Sequence, residues 1–274
     1  MRKELKIGIV GCGAIGSSLA KVIKEDFSKQ AQLVSFYDKD LNRAFSLANN
    51  LLGKKGKVSL NLEDLLTKVD LVIEATSVDC SFEITSRSLS FGKDIMVMSV
   101  GGILDRFLEL KNLAEEKKAK LLIPSGAISG IDAAKAHNLG KIKSIVLTSI
   151  KAPSAFKGNL YLLKKRVNLD QLQQDTLLFE GTVEEAIKFF PQNINVSATL
   201  SLATLGSVEP KVRIIASPKT SSNIHQIEIV SEAGVLLSRT ENIPHPENPK
   251  TSYLAVLSAV ATLKDYFSVV KVGT

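Results

Sequence analysis

Short apolar runs and amphipathic stretches alternate along the first half of the chain. Lys6 to Val10, Leu33 to Tyr37, Leu71 to Ala75, Ile95 to Met98 and Lys120 to Ile123 have the length and composition of buried strands, with helical segments between them. That rhythm predicts an α/β architecture, a doubly wound parallel sheet of Rossmann type covered by helices on both faces. From about Gly126 the texture changes. Ser144 to Lys151, Leu160 to Lys164, Thr176 to Glu180, Lys211 to Ser217, Ile224 to Val230 and Val235 to Thr240 read as strands, joined by turns such as Ala233-Gly234. Helical patterns cover Thr182 to Phe190, Val196 to Leu205 and Tyr253 to Phe267. The second half is therefore expected to be an α+β domain built on a mixed sheet.

The first strand runs straight into Gly11-Cys12-Gly13-Ala14-Ile15-Gly16, and Asp38 closes the second strand about twenty residues later. The order strand, glycines, helix, strand, acid is what a dinucleotide site needs. Gly11 lets the chain turn sharply, Gly13 lets the backbone approach a pyrophosphate, and Gly16 lets the helix pack on the sheet. The phosphates then meet the N–H groups of Ala14, Ile15 and the rest of the first helical turn. A carboxylate at Asp38 accepts from the adenosine ribose hydroxyls and repels a 2′-phosphate, which favours NAD, while Lys39 and Arg43 leave NADP possible. Ala75, Thr76 and Ser99 to Gly102 end strands three and four, and are candidate walls of the same crevice. Residues 1–125 form the nucleotide-binding domain in this reading, 126–250 the α+β substrate domain, and 251–274 a last helix that returns to the first domain.

Composition narrows the classes. The 274 residues are 45% hydrophobic and 23% charged, ordinary for a globular protein of two modest domains, with no apolar stretch of membrane-spanning length. Met1 to Glu4 lead directly into the first strand, so no secretory signal is expected and the cytoplasm is the expected compartment. The net charge of +7 is spread along the chain and aromatic residues are 5%, which reads as a solvated basic surface and not as a nucleic-acid site. Cys12, in the glycine loop, and Cys80, in an expected loop, have no metal-ligand spacing, and with His137, His225 and His245 they form no cluster, so no metal is expected.

In the second half, alternation along Asn223 to Ile229 sets His225 on the face of Ile227 and Ile229. Such a histidine is either a hydrogen-bonded core residue or a general base near neutral pH. Asn195 precedes an apolar helical run, where it serves as an N-cap, as a partner for a carboxamide, or both. Pro124 to Gly130 joins the domains with small residues. Pro244 to Ser252 stiffens the entry to the last helix, whose start, capped by Thr251 or Ser252, could receive a carboxylate beside Lys250. His245, between prolines, is expected to be exposed. Arg213 and Lys151 are further candidates for a second carboxylate.

The chain resembles the L-aspartate dehydrogenases of the type linked to NAD biosynthesis. The resemblance rests on GCGAIG at Gly11 to Gly16, PSGAISGIDA at Pro124 to Ala133, FEGTVEEAIKFFPQNINVSATLSLA at Phe179 to Ala203, NIHQIEI at Asn223 to Ile229 and ENPKTSYLA at Glu247 to Ala255. It covers nearly the whole chain, although Ser129 stands where the family turn would carry glycine. It implies NAD(P)-dependent oxidation of L-aspartate to iminoaspartate, then oxaloacetate and ammonia, in a homodimer formed through the second domain. It further implies His225 as the catalytic histidine, Ala127 and Asn195 as NAD contacts, and a substrate pocket bordered by Asn223, Lys250 and Thr251. Capture of the imine by a quinolinate synthase is the expected coupling. The remaining alternatives are a homoserine dehydrogenase-like or dihydrodipicolinate reductase-like enzyme, or a non-enzymatic NAD-binding sensor.

Overall fold

A computed structural model describes residues 4–53, 57–190, 194–245 and 248–273, with the backbone alone at 248–250. The chain divides into two compact units, residues 1–124 with 259–269, and residues 125–258 with 270–274.

In the first unit β1 (Leu5–Val10), β2 (Ala31–Tyr37), β3 (Leu71–Glu74), β4 (Asp94–Val97) and β5 (Leu121–Leu122) form one sheet in the order β2-β1-β3-β4-β5. Every pairing in it is parallel. Parallel strands need crossovers, and these are supplied by α1 (Ala14–Asp26), α2 (Leu41–Leu52), α3 (Leu62–Leu66), α4 (Val78–Ser90) and α5 (Phe107–Lys117). Strand order reverses between β1 and β3, which places the loops after those strands where such sheets bind ligands. Cys80 lies inside α4 and not in a loop: residues 78–90 bury one stripe, Ser81, Ile84, Thr85, Ser88 and Leu89, at helical spacing.

The ends of β3 and β4 are held by one buried carboxylate. Glu74 is fully buried. Its Oε1 accepts the Thr76 N–H at 2.7 Å and the Thr76 hydroxyl at 2.6 Å. Its Oε2 accepts the Ser81 hydroxyl at 3.2 Å and the Ser99 N–H at 3.0 Å. The loop after β3, helix α4 and the loop after β4 thus converge on a single side chain.

In the second unit α6 (Ile131–His137) precedes β6 (Ile142–Lys151), followed by α7 (Leu160–Lys164), β7 (Thr176–Gly181), α8 (Val183–Phe189), α9 (Ile194–Ala203), β8 (Lys211–Ala216), β9 (Asn223–Ser231) and β10 (Gly234–Asn242). The sheet order is β10-β9-β6-β8-β7, with β6 and β8 parallel and the other pairs antiparallel. One face is covered: Ile145 and Leu147 of β6 and Ile227 and Ile229 of β9 share a core with Ala134 of α6 and with Val196 and Leu200 of α9. A short ladder, β11 (Pro244–His245) with β12 (Asn248–Ser252), leads into α10 (Tyr253–Phe267). The division between the units runs through α10, and within the first unit Tyr266 donates to Asp94 at 2.7 Å while Phe267 packs on Phe27.

Three further expectations are corrected. Leu160 to Lys164 is a helix, not a strand. Asn159 caps it by accepting the Leu162 N–H at 3.1 Å, and Tyr161 packs against Phe179, Phe189 and Phe190. Leucine and lysine are good helix formers, and a five-residue apolar run carries no decisive period. Asn195 sits in the first turn of α9 and not at its N-cap, because the helix already includes Ile194. His245 is buried, paired with Asn248 and stacked edge-on against Tyr253 at 5.6 Å. Pro191 to Asn193, Pro246 and Glu247 lie outside the described residues.

Glu74→Gln keeps the shape but turns one acceptor oxygen into an NH₂ group that cannot accept. A buried donor is then left unsatisfied, so unfolding free energy should drop by about 1–3 kcal/mol in urea titration. An unchanged midpoint would show that the four bonds do not hold the strand ends.

Candidate active site

The glycine loop encloses a cavity of about 430 Å³ in the first unit, lined by Gly11, Gly13, Asp38, Arg43, Ala75 and Thr76 among others. Gly11 adopts φ +94°, and a Cβ there would lie 2.4 Å from the Ala75 carbonyl oxygen. A Cβ on Gly16 would lie 1.9 Å from the Gly11 carbonyl oxygen, so α1 reaches the loop only because residue 16 is glycine. A Cβ on Gly13 would meet nothing within 4 Å. Gly13 is also the N-cap of α1 and supplies no side-chain cap, which leaves N–H groups of the first turn directed at an incoming anion. Asp38 completes the frame. Its Oδ2 accepts the Cys12 N–H at 2.7 Å and its Oδ1 accepts the Asp40 N–H at 2.9 Å, so one carboxylate anchors the glycine loop and borders the cavity. Burial and the adjacent Asp38 push the Cys12 thiol up to about 12, which makes it inert packing. This cradle fits a dinucleotide: Ala14 and Ile15 open α1, and Ala75 and Thr76 form the opposite wall.

The second unit holds the other candidates. Ser149, Lys151, Asn223 and His225 occupy the covered face of the sheet beyond the apolar core, because Ser149 pairs with His225 across β6 and β9. His225 is 4% exposed, and its Nδ1 is hydrogen-bonded to the Ser149 hydroxyl at 2.9 Å. Burial, and after it the charge of Lys151, lower its pKa to about 3. The expectation of a base poised near neutrality is therefore corrected for the ligand-free protein: the imidazole is neutral. Lys151 is 7% exposed, and burial alone lowers its pKa to about 8. Asn223 is equally buried, and its amide nitrogen has no hydrogen-bond acceptor.

Ala127 is buried, and its carbonyl accepts from the Thr240 hydroxyl and the Asn242 amide, both at 2.9 Å. Arg213 is on the opposite face, bound to Glu180 at 2.5 Å, and is removed as a partner for a carboxylate beside His225. Thr251 lies in β12, and the Lys250 side chain lies outside the described residues. Sequence reasoning missed Glu74. The signal was available: a lone acid ending the apolar run Leu71-Val72-Ile73, followed by small hydroxyl residues. Among the described residues no group of three or more His, Cys, Asp and Glu side chains could hold a metal, and no helix is long and apolar enough to cross a membrane.

The unfolded chain protonates His225 near 6.5 and the native protein only near 3. Between those values the unfolded state holds the extra proton, so this residue's contribution to stability falls as pH is lowered through that window. In NMR spectra of the ligand-free protein the His225 ring should remain in its neutral form down to about pH 5; a ring titrating near its ordinary value of about 6.5 would contradict the burial argument.

Comparison with known proteins agrees with both halves. Residues 132–266 match the family model described as "Aspartate dehydrogenase, C-terminal", and residues 11–124 the model described as "Homoserine dehydrogenase, NAD binding domain". The chain is 42% identical to an L-aspartate dehydrogenase of Methanosarcina mazei over 98% of this chain and 100% of that protein. It is 42% identical to one of Methanococcus maripaludis with the same coverage. The crystal structure of aspartate dehydrogenase from Thermotoga maritima superposes with a TM-score of 0.72 at 25% identity, covering 99% of this chain and 100% of that one. With kinship of this extent along its whole length, the chain belongs to the L-aspartate dehydrogenase family.

Proposed function

We propose that the protein oxidises L-aspartate with a nicotinamide dinucleotide, giving iminoaspartate and, by hydrolysis, oxaloacetate and ammonia. The full-length kinship to proteins named L-aspartate dehydrogenase carries this reading. The amino-terminal match is shared with homoserine dehydrogenases, so the choice of substrate rests on the carboxyl-terminal half. When bound, the dinucleotide supplies the hydride acceptor. Gly11, Gly13, Ala14, Ile15, Gly16, Ala75 and Thr76 hold its pyrophosphate end, and Ala127 and Asn195 its nicotinamide end.

Hydride leaves Cα only after the substrate ammonium has lost a proton, so a base must face the nitrogen. His225 is that base. In the tautomer whose Nδ1–H donates to Ser149, Nε2 carries the free lone pair. The resting ring is a weak base, but a dicarboxylate bound nearby favours imidazolium and raises its pKa when the proton must be taken. Water then adds to the imine, and the imidazolium returns its proton as ammonia departs.

Asp38 favours NAD over NADP, because a 2′-phosphate would face its carboxylate. Arg43, which approaches Asp40 at 3.5 Å, tempers this preference enough to admit NADP. A homodimer through the second unit is consistent with the uncovered face of its sheet, where Leu177, Val235 and Leu237 are exposed. Because iminoaspartate hydrolyses in water, its capture by a quinolinate synthase would link the reaction to NAD biosynthesis.

Aspartate-dependent growth of NADH absorbance should be observed, with the reverse reaction from oxaloacetate, ammonia and NADH. No turnover in either direction would remove the assignment. His225→Ala should lower kcat roughly 10²- to 10⁴-fold with NADH affinity nearly unchanged; equal turnover would take His225 out of the chemistry. Asp38→Ser should shift the NADP to NAD ratio of kcat/KM toward NADP by roughly tenfold or more, the equivalent of ~1.4 kcal/mol. A constant ratio would mean that the acid does not read the ribose.

A further inference from the structure

We propose that Thr240 and Asn242 are positioning residues: they clamp the Ala127 carbonyl to the edge of the second unit's sheet and so aim the peptide that meets the nicotinamide. The clamp rests on the reading above for the contact between Ala127 and the ring, and adds what holds that contact in place.

β10 is an edge strand, and its register with β9 sets Ser238 opposite Ile227, Thr240 opposite His225 and Asn242 opposite Asn223, all on the covered face. These three alternate residues reach one short segment. Ser238 is hydrogen-bonded to the Ser129 hydroxyl, and the Thr240 hydroxyl and the Asn242 amide both donate to the Ala127 carbonyl at 2.9 Å. Asn242 also donates to Thr240 Oγ1 at 3.3 Å, so the two side chains hold each other. The Thr240 hydroxyl oxygen lies 3.5 Å from the carbonyl oxygen of His225. One cluster therefore ties the Ala127 segment to the strand that carries the base.

A carbonyl oxygen has two lone pairs, and here two donors occupy them. The Ala127 carbonyl is thereby withdrawn as an acceptor for the carboxamide of nicotinamide. The peptide that follows Ala127 is trans, so its N–H, that of Ile128, points opposite to the carbonyl and away from the clamp. Fixing the carbonyl thus fixes the direction of a donor, the kind of group from which a carboxamide oxygen accepts. Ala127 and Asn242 are both buried, where such bonds are strengthened. Hydride transfer is sensitive to alignment, and a shift of about 1 Å in a positioning group can cost about 10²-fold in rate.

The test uses purified full-length protein and two probes: NADH, and ADP-ribose, which carries the adenosine and pyrophosphate but no nicotinamide. Thr240→Val keeps the shape and removes the donor. It should raise the Kd for NADH roughly 3- to 10-fold, the range of one lost hydrogen bond, and leave the Kd for ADP-ribose within about twofold. The kcat for aspartate should fall with it, by roughly tenfold or more. Thr240→Ser keeps the hydroxyl and should bring the NADH Kd back toward the wild-type value, and Asn242→Ala should act in the same direction as Thr240→Val. If Asn242→Ala does not fold, Thr240→Val decides alone, because Thr240 is only half-buried on an edge strand. A wild-type ratio of NADH to ADP-ribose affinity in Thr240→Val would overturn the proposal whatever the change in Tm, since a residue that only stabilises the fold leaves that ratio alone. Failure of Thr240→Ser to recover NADH binding would also overturn it, by assigning the effect to packing. A shifted ratio in a protein that does not oxidise aspartate would uphold the clamp and overturn only the reaction.

Discussion

Backbone N–H groups donated to buried carboxylates organise the first unit. Glu74 accepts from the loops after β3 and β4 and from α4, and Asp38 accepts from the glycine loop and from the start of the segment leading to α2. A carboxylate carries enough lone pairs to satisfy several loop amides at once, and away from water each such bond is strengthened. The loops that border the cavity are therefore fixed before any ligand arrives. A site fixed in advance loses little conformational entropy when it binds, and the glycine loop adds only the close approach that residues 11, 13 and 16 allow.

The second unit inverts this arrangement. On the covered face of its sheet the Asn223 amide is a buried donor without an acceptor among the described residues, beside a buried Lys151 and an imidazole kept neutral by burial. A folded protein keeps an unsatisfied buried donor at a cost in stability. Buried charge satisfied from within is thus a structural hub in the first unit. For a dehydrogenase acting on a dicarboxylic amino acid, the contrast supports the proposal that the glycine loop of the first unit takes the dinucleotide's pyrophosphate and that the substrate binds by His225 of the second.

Much of this was legible in the sequence because it depends on local pattern. Apolar runs gave the five parallel strands, and alternation put His225 on the face of Ile227 and Ile229. The glycine spacing with Asp38 located the cavity. What was not legible depends on partners distant in the chain. The Leu160 to Lys164 segment is short enough to satisfy either period, and its Asn159 cap and aromatic neighbours Phe179, Phe189 and Phe190 decide for helix. His245 between prolines looks exposed until the β11–β12 ladder and Tyr253 cover it. Lys151 and Arg213 look equivalent as cations, and only the register of β6, β8 and β9 separates their faces.

The most direct test of this division is a crystal structure of the protein with NAD and aspartate bound. The account predicts the pyrophosphate on the first turn of α1 and the substrate amine within hydrogen-bond reach of His225 Nε2, about 3 Å. A bound aspartate whose amine is remote from His225 would contradict it.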